Sequence, residues 1–167
     1  MKKHVVLPIV ALLYYGAVLA QQFEVPQNVV LNTPEDYRHF ELGVVQAYNW
    51  LLKTPLDQEP EKRKQVSAFF LKWLSGSPDV TVSIDPKIVT FMDCPDCMMI
   101  FMGGWTIHTL NNKYRNDPEQ GATAGILAVI DFYEANRQVL GINKAIEKYV
   151  RLKEKGKLEK YISDKMK

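Results

Sequence analysis

The chain contains 167 residues with a formal net charge of +2, from 21 Lys and Arg against 19 Asp and Glu. Lys2 and Lys3 account for that excess, so the remainder of the chain is neutral overall. A nucleic-acid-binding protein would show a basic excess concentrated on one face, and the balance therefore argues against that class. The length fits one domain with a sizeable hydrophobic core.

The first twenty residues have the layout of a secretory signal peptide. Lys2 and Lys3 give a basic start, residues 5–20 are uncharged and largely apolar, and small residues precede Gln21. An uncleaved membrane anchor is the alternative, but this run is interrupted by Pro8 and is shorter than the ~20 residues that a spanning helix needs. We therefore expect an exported protein, periplasmic or secreted, that is cleaved after Ala20 and keeps one domain over residues 21–167. We expect no membrane span after that cleavage.

Two amphipathic helices are predicted in the first half of this domain. Residues 33–36 (TPED) combine an N-cap, a proline at the first helical position and acidic residues in the first turn. A second helix begins near Glu61 and ends at residues 75–78 (SGSP), where Gly76 is available for a left-handed cap. Apolar side chains recur at three- and four-residue steps in both helices: Tyr37, Phe40, Val44, Tyr48, Leu51 and Leu52 in the first, and Val66, Phe69, Phe70, Trp73 and Leu74 in the second.

Over residues 79–92 the spacing of apolar residues changes from three or four to two, which predicts a small β element. Val80, Val82 and Ile84 alternate with polar residues, as in a half-buried strand. Asp85 and Pro86 form a turn, after which residues 88–91 (IVTF) could pair back. Because two short strands alone are marginally stable, we expect them to pack on helices.

Three further helical segments complete the chain. Residues 95–112 are apolar nearly all round, which predicts a central buried helix. The next helix begins at Asp117 and Pro118 and stops at Gly141, where Ile142 is placed for the apolar contact that follows a glycine cap. The last helix is interrupted by Gly156. The predicted fold is therefore mainly α, a compact bundle of about five helices with a small two-stranded β element.

Glycines inside two of these helices predict a close helix–helix approach. Gly103 and Gly104 each cost about 1 kcal/mol relative to Ala in a helix, so something should offset that cost. Gly121 and Gly125 place small residues on one face of the following helix. Close packing of the two helices is the economical explanation, and a kink or a ligand contact are the alternatives.

Charge is unevenly distributed along the domain. Residues 144–167 contain nine Lys and Arg against four Asp and Glu, a net charge of +5, which leaves −5 on residues 21–143. A solvated, charged helix is one explanation. The alternative is contact with an acidic surface, either an acidic envelope polymer or the acidic remainder of the protein.

The motif with chemical content is residues 93–97 (DCPDC), which follows a predicted strand and opens a predicted helix. A helix N-terminus lowers a thiol pKa, and over about ten residues the motif resembles the thioredoxin and glutaredoxin active site. Beyond Cys97 the resemblance fails, because that fold needs further strands and a proline facing the pair. The alternatives are an inert Cys94–Cys97 disulfide, two unpaired thiols, or a thiol–disulfide oxidoreductase with Cys94 as the exposed nucleophile. A metal site is disfavoured because the domain offers only two histidines, His39 and His108.

No nucleophile elbow or glycine-rich phosphate loop is present, and we expect no cofactor or metal. The main hypothesis is a non-enzymatic binding domain for a protein partner or a small apolar ligand, without nucleic acid. The candidate ligand-binding residues come from the aromatic, methionine-rich part of the buried helix: Met98, Phe101, Met102 and Trp105. The alternatives are the oxidoreductase and an envelope-associated structural protein that binds acidic polymer through its basic tail.

Three strings carry a family resemblance: residues 69–78 (FFLKWLSGSP), 101–105 (FMGGW) and 141–158 (GINKAIEKYVRLKEKGKL). They resemble an uncharacterised family of small secreted bacterial helical proteins. The resemblance implies export and a helical fold, and it brings no known activity.

Overall fold

The computed structural model describes residues 23–167, so the predicted signal peptide and its cleavage site lie outside the described residues. The described part is mainly helical, as predicted, and its buried apolar residues form one core. It contains six helices: α1 (Pro34–Lys53), α2 (Pro60–Gly76), α3 (Pro95–Asn111), α4 (Pro118–Leu140), α5 (Lys144–Glu154) and α6 (Leu158–Met166). None of these helices is both long enough and apolar enough to cross a membrane.

The predicted start of α1 is confirmed by a reciprocal capping arrangement. Thr33 is the N-cap, and its side chain accepts a hydrogen bond from the backbone N–H of Asp36. The Asp36 carboxylate in turn accepts from the backbone N–H of Thr33 at 2.8 Å. These bonds satisfy donors that the first turn of a helix leaves free. Backbone hydrogen bonds from Asn32 and Thr33 also hold the pKa of Asp36 below its usual value.

Arg63 of α2 caps the C-terminal end of α1. Its guanidinium is buried and donates to the carbonyl oxygens of Leu51 at 3.2 Å and Thr54 at 2.6 Å. Carbonyls in the last turn of a helix lack partners within the helix, and they carry the negative end of its dipole. Arg63 therefore joins α2 to the end of α1, and burial lowers its pKa.

The predicted close approach of the two glycine-bearing helices is confirmed. A Cβ at Gly104 of α3 would lie 2.8 Å from the Ala128 Cβ and 2.9 Å from the Ala124 carbonyl oxygen of α4. On α4, Gly121 lies against the Trp105 indole and Gly125 against the Phe101 ring. Gly103 has a different neighbour, the ring of Tyr48 in α1.

The predicted β element over residues 79–92 is wrong, since no strand occurs within residues 23–167. Asp85 instead organises a turn, accepting backbone hydrogen bonds from Ile88 and Val89 on its carbonyl oxygen. Ile88, Val89 and Phe91 are buried, so the segment is held by its side chains. Of the three alternating apolar residues only Val80 is buried, since Val82 is half-buried and Ile84 is exposed. Two short strands without a third are marginally stable, so the alternation did not suffice to form them.

Three local predictions about glycines and helix ends need correction. Gly76 lacks the left-handed conformation of a cap, and its missing Cβ instead admits the Tyr37 side chain. Ile142 is 78% exposed, so it does not make the predicted apolar contact after Gly141. Gly156, at φ 62°, interrupts the last helix as predicted, but it separates α5 from α6 completely, so the described residues form six helices instead of about five.

Candidate functional site

The cysteine motif forms the start of α3. Cys94 is the N-cap, and its sulfur accepts a hydrogen bond from the backbone N–H of Cys97 at 3.2 Å. The two sulfurs lie at disulfide distance, with the Cα atoms 5.2 Å apart. Pro95 at the first helical position and Asp96 in the first turn complete this start.

The burial of the pair bears on the redox alternative. That hypothesis needs Cys94 as an exposed nucleophile, because a thiolate must reach the disulfide or thiol of its substrate. Cys94 is 8% exposed and Cys97 is fully buried. Cys94 therefore lacks the exposure that this hypothesis requires, and both the inert disulfide and the oxidoreductase stay predictions.

The four candidate ligand-binding residues lie in two environments. Phe101 and Trp105 are buried and meet edge to face, with ring centroids 5.9 Å apart. Their rings fill the space left by the glycines of α4. Met98 and Met102, on the same helix, are half-buried and pack against the core. Phe101 and Trp105 therefore serve the α3–α4 packing, and the ligand hypothesis stays a prediction.

Two buried polar atoms of α3, the Trp105 indole nitrogen and the Thr106 hydroxyl, have no hydrogen-bond partner among the described residues. A buried group of this kind costs free energy because it loses its hydrogen bond to water. Both atoms are closed off from solvent, so they do not by themselves define a ligand site.

The histidines and acids are not arranged as a metal centre within residues 23–167. No group of three or more His, Cys, Asp or Glu side chains there could hold a metal ion. His108 is half-buried on α3 beside Asn112, and His39 lies exposed on α1, edge to face with Phe40.

A groove lies next to the cysteine motif, where the segment before α3 meets the start of α5. Asn143 joins the two parts: its amide nitrogen donates to the Asp93 carboxylate at 3.2 Å, and its amide oxygen caps α5 by accepting from Ala145 and Ile146. The groove has a volume of about 510 Å³ and is lined by Thr90, Met92, Asp93, Ile142, Asn143, Lys144 and Ala145.

The groove combines apolar and charged walls. Ile142 is 78% exposed and Met92 is 61% exposed, so both apolar side chains are open to solvent. Asp93 and Lys144 supply one charge of each sign. Asp93 was noted in the sequence only as part of the cysteine motif, and no sequence signal predicted the groove.

Four cations that we call the basic stripe lie along one face of α5 and its C-cap: Lys144, Lys148, Arg151 and, at the cap, Lys155. Their spacing of four, three and four residues places them within an arc of about 60° at 100° per residue. All four are exposed, and none forms a salt bridge within residues 23–167. Lys144 also lines the groove, so the stripe and the groove are continuous.

The opposite face of α5 is fixed to the body of the protein. Ile146 and Tyr149 are buried, and the Tyr149 hydroxyl donates to the Ile88 carbonyl oxygen. Burial raises the pKa of Tyr149 to about 12. Lys153 binds Asp131 of α4 at 2.6 Å, and that hydrogen bond raises the pKa of Lys153. Because the opposite face of α5 packs against the rest of the protein, the basic stripe faces solvent.

No protein-family model, no curated protein and no solved structure matches this chain. The resemblance to small secreted bacterial helical proteins therefore stays a prediction, and the function has to be argued from the geometry.

Proposed function

We propose that this protein is an exported, non-enzymatic interaction domain that binds an acidic partner through the basic stripe. The observation that carries the proposal is the alignment of four exposed cations along α5 and its C-cap, none of which forms a salt bridge within residues 23–167. It refines the prediction of a basic tail, because four of the nine tail cations lie along one surface.

The energetic cost of aligning these cations on one helix supports a binding role for the basic stripe. Neighbours of like charge three or four residues apart destabilise a helix by about 0.2–0.5 kcal/mol per pair, and the stripe contains three such pairs. Lys144 is the first residue of α5, where a cation opposes the helix dipole. An acidic partner would remove both costs.

The acids flanking the stripe do not neutralise it. Glu147 binds Arg137 and the Tyr133 hydroxyl on the side facing α4. Glu154 is exposed and forms no salt bridge within the described residues. The Lys148 ammonium lies 4.3 Å from the Tyr161 ring centroid, an attraction that positions this cation without cancelling its charge.

The burial of Cys94 supports a non-enzymatic role over the oxidoreductase alternative. An insulin-reduction assay tests that alternative directly. We expect no activity above a Cys94→Ser/Cys97→Ser control, and activity that disappears in the control would restore the redox function.

Binding to fluorescent poly-glutamate, measured by anisotropy, tests the stripe. We expect affinity to fall by about tenfold between 20 and 150 mM NaCl, since exposed charge contacts are screened over about 10 Å. Lys144→Glu/Arg151→Glu should abolish binding. Lys64→Glu/Arg115→Glu, an equal charge change at exposed sites away from α5, should retain most of it.

Equal losses in the two double variants would reduce the effect to net charge and contradict the proposal. Binding that is insensitive to salt would contradict it as well. Export is tested separately by the exact mass of the purified protein, which should begin at Gln21. A mass that retains Met1 would exclude cleavage.

A further inference from the structure

The groove and the basic stripe form one continuous surface, and we propose that its occupant is an acidic protein segment carrying one apolar anchor residue. The anchor lies between Met92 and Ile142 in the groove, and the acidic residues follow the stripe from Lys144 to Lys155. This inference rests on the proposed function and adds the chemical class of the partner.

Two exposed apolar side chains in the groove, Met92 and Ile142, favour an apolar group on the partner. Ile142 and Met92 are among the most exposed large apolar side chains of the described residues. Covering them removes apolar surface from water, which stabilises a complex only when the covering group is itself apolar. A polymer of charged sugars or phosphates has no such group, so it could use the stripe but not the groove.

The charge of the groove favours a protein segment over a lipid surface. The groove is open to solvent, with a volume of about 510 Å³ and a partly polar lining. Asp93 lies in its wall, held by Asn143, and would repel anionic lipid headgroups. An acidic segment can keep its anchor in the groove while its carboxylates lie beyond Asp93, over α5.

The dimensions of the stripe match an extended segment. From Lys144 to Lys155 the helix rises about 16 Å, at 1.5 Å per residue. An extended chain covers that distance in about five residues, at roughly 3.3 Å each. Carboxylates on alternate residues would then be about 6.6 Å apart, close to the rise of about 4.5–6 Å between neighbouring cations of the stripe.

Fluorescein-labelled peptides test the inference. The probes are Leu-Glu-Ser-Glu-Ser-Glu, the reversed sequence with leucine at the other end, and Ser-Glu-Ser-Glu-Ser-Glu as the control without an anchor. We expect at least one leucine peptide to bind the full mature protein about tenfold more tightly than the serine peptide, the advantage of partly burying one leucine.

Substitutions in the protein locate the anchor. Met92→Ser and Ile142→Ser should weaken the leucine peptide to the level of the serine peptide and leave the serine peptide unchanged. Both side chains are exposed, so the fold should tolerate these changes. Val30→Ser and Leu42→Ser change equally exposed apolar residues elsewhere and should leave both peptides unaffected.

The outcomes separate this inference from the proposed function. Equal binding of the leucine and serine peptides, both lost in Lys144→Glu/Arg151→Glu, would overturn the anchor and leave the stripe as a polyanion site. Binding to phosphatidylglycerol vesicles that needs Ile142, without a leucine advantage among the peptides, would replace the protein segment with a membrane. Absence of binding by poly-glutamate and every peptide would overturn the proposed function itself.

Discussion

The indole nitrogen of Trp73 donates a hydrogen bond to the backbone carbonyl oxygen of Tyr37 at 2.8 Å, which joins α2 to the first turn of α1. The two rings also meet, with centroids 6.3 Å apart. Trp73 is 1% exposed, so this contact lies in the core.

Trp73→Ala should therefore lower the free energy of unfolding by about 3–5 kcal/mol, the usual effect of emptying an aromatic core site. Denaturant titration measures the change. Trp73→Phe is the matched control and should cost less, since it keeps a ring but loses the hydrogen bond to Tyr37. A loss under ~1 kcal/mol for the alanine variant would contradict the core position of this side chain.

Gly104→Leu should destabilise the protein through the α3–α4 contact. The new side chain would meet the Ala128 Cβ and the Ala124 backbone, and overpacking of this kind costs about 1–3 kcal/mol. The higher helix propensity of leucine offsets up to ~1 kcal/mol of that loss. Ala68→Leu, on an exposed position of α2, is the control and should change stability little. Unchanged stability of the Gly104 variant would show that the helices can separate without cost.

Tyr48 should make the protein less stable at alkaline pH. Burial, with a smaller contribution from Asp131, raises the pKa of Tyr48 to about 12, above the ordinary tyrosine value of 10.0. Between these values the unfolded chain releases the phenol proton while the folded chain retains it, so stability falls as pH rises.

The slope from this one group is up to about 1.4 kcal/mol per pH unit. Tyr48→Phe keeps the ring against Gly103 and removes the titrating group, so its unfolding free energy should fall less steeply between pH 10 and 12. Parallel pH profiles for the two proteins would show that Tyr48 does not titrate as described.

The cysteine pair should be oxidised in the purified protein and contribute little to stability. A loop of four residues gives about 2 kcal/mol in the chain-entropy model, against about 4.7 kcal/mol for a loop of a hundred residues. Reduction should therefore lower the unfolding free energy by about that smaller amount, with α3 intact by circular dichroism. Free thiols detected before reduction would exclude the disulfide, and global unfolding on reduction would contradict its minor role.

Local sequence signals predicted the helices well, because each of those signals acts within a few residues. The Thr33 and Asp117 caps, the prolines that follow them and the turn at Gly141 all specify backbone hydrogen bonds or dihedral angles nearby. The small residues at Gly104, Gly121 and Gly125 also predicted a close approach, since a missing Cβ in a helix needs a neighbour to fill its space.

The candidate site was predicted in part. The basic stripe follows from spacing alone, because positions four, three and four residues apart share one helix face. The groove cannot be predicted from spacing, because Asp93 and Asn143 are fifty residues apart in the sequence and come into contact only when α5 packs against the segment before α3. Ile142 was predicted to make the apolar contact that follows a glycine cap, whereas the fold leaves this side chain exposed.

The sequence by itself determined the helical class, the approximate starts of most helices and the unequal charge of the two parts, because these depend on residue type and short-range spacing. The tertiary structure decided the rest. It replaced the predicted strands with a side-chain-anchored segment, buried Cys94, placed Phe101 and Trp105 in the α3–α4 contact and turned the basic stripe toward solvent. The reason is that the burial of a side chain and the pairing of a strand depend on contacts with segments distant in the sequence. A hydrophobic pattern shows that apolar surface must be buried, but it does not identify the segment that buries it.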